Sequence, residues 1–196
     1  KNAIKALGPV NIAAIEEYAE VKARYDNMNR QMDDLIRAKN DLHAVINKLD
    51  AEMRSNFSKT FEEINRNFQE VFSELFGGGS AELSLTDPSD VLASGIEIKA
   101  APPGKIIKSL TLLSGGEQAF VAIALFFAII KVNPTPFCIL DEIEAALDEV
   151  NVVCFADYVK RFSHMTQFVI ITHRRGTIES ADRIYGVTMP ERGISR

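Results

Sequence analysis

At 196 residues, with a formal net charge of −5 and 46% hydrophobic residues, the chain is long enough to bury one core, or a core plus an extension, and has the balance of a soluble globular protein. An acidic total works against nucleic-acid binding by bulk electrostatics and leaves only a local basic patch for that role. The two cysteines, Cys138 and Cys154, lie in apolar surroundings without metal-ligand spacing, so they read as buried free thiols of a reducing compartment; with no signal peptide or membrane span evident, the cytoplasm is the expected location.

Gly8-Pro9 breaks any helix in the first residues. The chain opens inside a helical-looking pattern, so it reads as a piece of a longer polypeptide. From Tyr18 a heptad can be laid down. Its a positions are Tyr18, Tyr25, Met32, Lys39, Ile46 and Met53, and its d positions are Val21, Met28, Leu35, Leu42 and Leu49. Lys39 alone interrupts the seam, and no Pro or Gly breaks it, so the pattern predicts a coiled-coil arm over residues 1–56. One strand cannot bury its own stripe, and the partner helix is expected elsewhere in the parent polypeptide or on another molecule. An amphipathic helix lying on the domain is the plainer alternative. His43, at an e position, reads as solvated.

After Met53 the apolar residues step by four through Phe57 and Phe61, and Ile64, Phe68, Phe72 and Leu75 follow. Steps of four act as a stutter that unwinds a supercoil. The helix is therefore expected to enter a globular body near Asn56, making residues 57–196 a second region, and to end at Gly77-Gly78-Gly79. Ala81–Thr86 and Ile96–Ala100 alternate apolar and polar residues around turn chemistry at 87–90 and 94–95, which predicts a hairpin. Gly104-Lys105 resembles the end of a phosphate-binding Gly-x-x-x-x-Gly-Lys-Ser/Thr loop but fails twice: Lys99 stands where the first Gly belongs, and Ile106 where Ser or Thr belongs. No part of the chain can wrap β- and γ-phosphates in that manner.

Leu113-Ser-Gly-Gly-Glu-Gln118 has the Ser/Glu spacing of a capping box, so Ser114 and Glu117 should open a helix, with Gly115 and Gly116 leaving its first N–H groups clear for an anion such as phosphate. The apolar run Ala119–Ile130 predicts a helix buried on most sides; its 12 residues fall short of the roughly 20 needed to span a bilayer. A capped core helix and nothing more is the simpler reading. Phe137–Leu140 reads as a buried parallel strand ending in Asp141-Glu142, at the sheet edge where open α/β folds bind ligands. An Asp there can hold magnesium on a nucleotide, and an adjacent Glu can polarise a water; solvated acids at a strand end are the alternative. Asp148 is placed to cap a helix from Val150 to about Phe162. Gln167–Ile171 should be a second strand, ended by Thr172-His173 at the same edge, with one more strand at Arg183–Val187. His164 reads as a partner of a helix C-terminus.

In order, Leu113–Gln118, Phe137–Glu142, Ala146-Leu147-Asp148 and Thr172-His173 resemble the signature motif, Walker B motif, D-loop and switch histidine of ATP-binding cassette (ABC) ATPases. With the heptads upstream, with Asp-Glu-Ile-Glu-Ala-Ala-Leu-Asp-Glu at 141–149 and with Gly-Pro-Val-Asn at 8–11, the chain resembles the C-terminal head half of a bacterial structural-maintenance-of-chromosomes (SMC) protein. The resemblance implies an α/β fold, the C-terminal lobe of an ABC-type head with a parallel sheet flanked by helices, preceded by a long coiled-coil helix. The Walker A half is missing, and in this family it lies at the other end of the polypeptide.

The resemblance further implies two heads sandwiching two ATP molecules. Asp141 would help hold Mg2+, Glu142 would act as general base, and His173 would touch the γ-phosphate in the same head. Leu113, Ser114, Gly115, Gly116, Glu117 and Gln118 would close over the nucleotide of the opposite head, with Asp148 near that interface. Implied partners are the N-terminal half of the same head, a second SMC head, the winged-helix domain of a kleisin subunit, and DNA, with no membrane. Other readings are the corresponding half of a DNA double-strand-break repair ATPase, or a non-catalytic docking module when isolated. A transporter ATPase does not suit the long heptad arm. Lys105, Lys108, Arg174 and Arg175 are candidates for a modest basic patch, with scattered surface cations as the ordinary explanation.

Overall fold

The long helix α1 (Ala13–Phe76, 64 residues) follows from a stretch of sequence without Gly or Pro and with apolar residues at helical spacing. The computed structural model describes residues 13–106 and 108–189; the Gly8-Pro9 break and the 8–11 segment lie outside them. The chain divides into two units between Met53 and Arg54. In the first unit the seam is uncovered: Tyr18, Val21, Tyr25, Met28, Met32, Leu35, Leu42, Ile46, Leu49 and Met53 are all exposed.

In the second unit the helical stripe is core. Phe68, Val71, Phe72 and Leu75 are buried, and the Phe72 and Phe76 rings stack at 4.2 Å. The helix stops at three glycines with positive φ. At Gly79 (φ +83) a Cβ would stand 2.3 Å from the Ala101 carbonyl oxygen, so no other residue fits. β1 (Ser80–Leu85) then pairs antiparallel with β2 (Ile96–Ala101), Leu83 opposite Ile98. A short β3 (Lys108–Ser109) pairs with β2 on its other side, a strand too brief to show in the sequence pattern.

α2 (Gly115–Val132) runs through the core. Phe120, Val121, Ile123, Ala124, Phe127, Ala128 and Ile130 are buried along it, because its residues are apolar on nearly every side. At 18 residues it is longer than the 12-residue apolar run within it, and it is long and apolar enough to cross a membrane by length and composition alone. Length therefore does not separate the two cases. Packing does: Phe127 meets the rings of Phe155, Tyr158, Phe162 and Phe168 at centroid distances of 4.9–6.2 Å.

β4 (Phe137–Asp141), α3 (Glu149–Phe162) and β5 (Gln167–Ile171) form a β-α-β unit, with Phe137 opposite Gln167 and Asp141 opposite Ile171 in a parallel ladder. α4 (Arg175–Ser180) follows. The architecture is α/β, a long helix with two small sheets.

Three expectations are corrected. β4 is not buried on both faces: Phe137 and Ile139 are 60% and 59% exposed, and Val169 and Ile171 on β5 are about as open. Helices cover only the face carrying Leu140, Cys138, Phe168 and Ile170. Residues 183–187 form no strand, because no neighbour among the described residues offers a ladder to their backbone groups. Cys138 and Cys154 are free but only partly buried, since β4 has an open face; burial still pushes the Cys138 thiol above its ordinary pKa.

Phe127→Ala should cost about 4 kcal/mol, because it removes the ring at the centre of the aromatic cluster and leaves a cavity. Urea unfolding of the chain and its variant by circular dichroism measures it.

Candidate functional site

Two parallel strands end together, and their exits carry the polar residues. The ladder pairs Asp141 with Ile171, and the Glu142 N–H donates to the Ile171 carbonyl at 3.0 Å. The chain then turns sharply, with Glu142 at φ 47, the one non-glycine residue with positive φ among the described residues. For an L residue that conformation costs of order 1 kcal/mol and collects at functional positions. It is held by backbone bonds from Ala145 N to Glu142 O and from Leu147 N to Glu144 O, both 3.0 Å.

His173, two residues beyond β5, donates from Nδ1 to Glu142 Oε1 at 3.2 Å. Both side chains are exposed. The pair therefore stands at the surface, where a substrate can reach it. Asp141 is exposed beside them at the end of β4. No group of three His, Cys, Asp or Glu among the described residues could hold a metal ion by itself. Magnesium needs no such cage, since it is commonly held by one or two carboxylates plus phosphate oxygens and waters. Asp141, an exposed carboxylate at the strand end, would suit such a role.

The capping box is formed in full. Glu117 N donates to Ser114 Oγ at 3.4 Å, and Ser114 N and Oγ donate to Glu117 Oε2 at 3.1 and 2.8 Å. Lys105 Nζ adds a 2.6 Å ion pair to Glu117 Oε1. Hydrogen bonds from Lys105 and Ser114 hold the Glu117 carboxyl down at a pKa of about 2. Gln118 Nε2 donates to the Leu113 carbonyl at 3.0 Å, which fixes the approach to the helix. Gly115 is open, with nothing within 4 Å of where a Cβ would be; at Gly116 a Cβ would come within 3.2 Å of the Ala146 carbonyl oxygen. The start of α2 thus packs closely on the loop leading to Asp148. Asp148 caps α3, accepting from Asn151 N at 2.8 Å. His164 Nδ1 meets the Arg161 carbonyl at 2.7 Å, at the end of that helix.

The structure gathers Asp141, Glu142 and His173 at one edge. Among the described residues no hydrogen bond joins Ser114, Gly115 or Gly116 to them. Of the candidate basic patch, Lys105, Arg174 and Arg175 have partners within the chain, and the Lys108 side chain lies outside the described residues. Lys105 pairs with Glu117, Arg175 pairs with Glu179 at 2.6 Å, and Arg174 Nη2 donates to the Ala145 and Leu147 carbonyls at 2.8 and 2.9 Å. The sequence reading missed Arg174 as a clamp, and it missed Glu144, which is fully buried. The one signal was an acid flanked by Ile143 and Ala145 in the 141–149 run.

Residues 9–196 match the family described as the RecF/RecN/SMC N terminal domain. The chain is 56% identical over all of its 196 residues to the chromosome partition protein Smc of Bacillus subtilis strain 168, of which it spans 16%. A solved chain described by ATP-driven dimerization and DNA stimulated activation of SMC ATPases is 45% identical, with a TM-score of 0.68 over 72% of this chain and 86% of that one. An Smc head domain from Pyrococcus furiosus with an extended coiled coil, bound to the C-terminal domain of ScpA, is 40% identical, with a TM-score of 0.75 over 94% of this chain and 46% of that one. The family description speaks of an N terminal domain and does not place this chain in the C-terminal half of a head; that position rests on the motifs.

The depressed Glu117 pKa has a definite sign. Stability from this carboxylate is present in full above its ordinary pKa of 4.5 and drains as pH falls through about 2. Lys105→Met should move the Glu117 titration back up toward 4.5, followed by carboxyl NMR shifts against pH.

Proposed function

The chain belongs to the RecF/RecN/SMC family, and from that premise we propose that it is the C-terminal half of an SMC head ATPase, with residues 1–56 a coiled-coil arm segment and 57–196 the C-terminal lobe. The observation that carries the reading is the meeting of Asp141, Glu142 and His173 at the ends of two parallel strands, with the 3.2 Å bond between the last two. The motif set supports the C-terminal position, since signature, acidic strand end, D-loop and histidine are present and no phosphate-wrapping loop is. The open apolar face of β4 and β5 supports a missing complement, because that face is built to pack against more protein.

In this reading Glu142 takes the proton of the attacking water, and His173, carrying a proton on each ring nitrogen, donates from Nδ1 to the Glu142 carboxylate and from Nε2 to the γ-phosphate. Asp141 would hold Mg2+ together with phosphate oxygens of the nucleotide, and the ion would supply charge neutralisation at the transferring group. Ser114, Gly115 and Gly116 close over the ATP of a second head. To reach it, the Ser114 hydroxyl gives up its bond to Glu117, whose charge Lys105 offsets. Asp148 keeps its loop at that interface. Neither site is complete until two heads meet, which ties hydrolysis to dimerisation.

The uncovered seam of α1 takes a second helix of the same parent protein. A kleisin winged-helix domain docks on the head, as the C-terminal domain of ScpA is bound in the related structure. The parent protein acts on DNA in the cytoplasm, at the nucleoid, in chromosome condensation and segregation; the Bacillus relative is named for chromosome partition. Alone, the chain serves as a docking module.

Glu142→Gln in the full-length protein should keep ATP-driven head pairing and lower turnover by about a hundredfold or more; unchanged turnover would refute the base. Calorimetric titration of the isolated chain with Mg-ATP should show no binding, and adding the segment that carries the phosphate loop should restore it.

A further inference from the structure

We propose that Glu144 is a positioning residue for hydrolysis: its buried carboxylate ties the segment leaving β4 to the segment leaving β5 and so holds Glu142 and His173 in register. Acidic side chains are almost never fully buried unless paired. Glu144 is fully buried, yet among the described residues no ion pair includes it. Its Oε1 accepts instead from two hydroxyls, Thr172 Oγ1 at 2.5 Å and Thr177 Oγ1 at 3.1 Å. Its Oε2 is buried with no partner.

The bonds form a connected stitch. Thr172 Oγ1, donating to Glu144, accepts from Arg174 N at 2.9 Å. The Arg174 guanidinium returns to the first segment, donating from Nη2 to the carbonyls of Ala145 and Leu147. Residues 142–148 and 172–177 are therefore fastened together twice, once through each side chain. Glu142 and His173 lie just outside the fastening, Glu142 two residues before Glu144 and His173 one residue after Thr172. Thr177 extends the tie into α4.

A buried, half-satisfied carboxylate is costly, and an apolar residue of similar size would stabilise the fold better. The positional role accounts for an acid here. A carboxylate can take two hydroxyl donors from different elements at once, and no apolar side chain can. The strained φ of Glu142 needs such a constraint, since an exposed loop free to relax would leave that conformation.

This inference rests on Glu142 being the general base. The test uses the full-length protein. Glu144→Ala and Thr172→Val should each lower kcat by about tenfold or more, as misplaced catalytic groups do, with KM for ATP and ATP-driven head pairing within about twofold. Glu144→Gln and Thr172→Ser, which keep an acceptor and a hydroxyl, should stay within about threefold of the parent kcat. Where Glu144→Ala fails to fold, the Thr172→Val and Thr172→Ser pair decides. Parallel loss of kcat, head pairing and thermal stability without rescue by the conservative variants would overturn the proposal in favour of a purely structural role. Glu142→Gln, measured alongside, separates the claims. Full turnover there overturns the base and this inference with it. Loss there with full turnover in Glu144→Ala overturns this inference alone.

Discussion

The parallel ladder between β4 and β5 is the constraint on which the candidate site depends. It ends both strands at one level, Asp141 opposite Ile171, and the next bond, from Glu142 N to the Ile171 carbonyl, carries the pairing one residue past the strand. Since side chains alternate along a strand, a slip of one residue would move Asp141 to the other face and separate Glu142 from His173. The register is protected by burial of the opposite face, where Leu140, Phe168 and Ile170 pack on the core around Phe127. Chemistry at the edge is thus held by hydrophobic packing beneath it.

The start of α2 obeys a second constraint. Its first N–H groups have no carbonyl partners inside the helix, and Ser114 and Glu117 satisfy part of that need. The arrangement places an anion, Glu117, at the helix start where the proposed reading brings a phosphate, and Lys105 sits on it. The close approach of Gly116 to the Ala146 carbonyl joins this helix start to the loop that Arg174 and Glu144 fasten from the other side. The start of α2, the Asp148 loop and the acidic edge are thus linked through contacts within the second unit, although among the described residues no hydrogen bond links Ser114 to Glu142.

Much of this was legible in the sequence because local chemistry decides it. The capping box, the Asp148 cap and the end of α1 at three glycines each follow from a few adjacent residues. The hairpin was legible because alternation and turn residues agreed. What escaped was decided at long range. The open face of β4 could not be seen because a continuous apolar run looks alike whether one face or both are covered. A strand was expected at 183–187, but a strand exists only where a neighbour pairs with it. Glu144 looked like one acid among several in 141–149; its burial depends on hydroxyls 28 and 33 positions away. Lys105 read as a surface cation because its partner Glu117 lies 12 positions on.

The exposed surfaces complete the logic of the proposed reading. A two-stranded parallel sheet with one bare apolar face is an expensive object in water, since Phe137, Ile139, Val169 and Ile171 all leave apolar area unburied. The same holds for the seam on α1. Scattered exposed apolar residues need no explanation, but these lie in contiguous patterns on regular elements. Both patterns call for more protein, one as a covering for a sheet and the other as a companion for a helix. On the proposed reading, a chain that carries the acidic edge but no phosphate cradle has a chemical reason to be left open in this way. Covering the sheet and completing the nucleotide site would be the same event, so the energy of that burial would go into building the site.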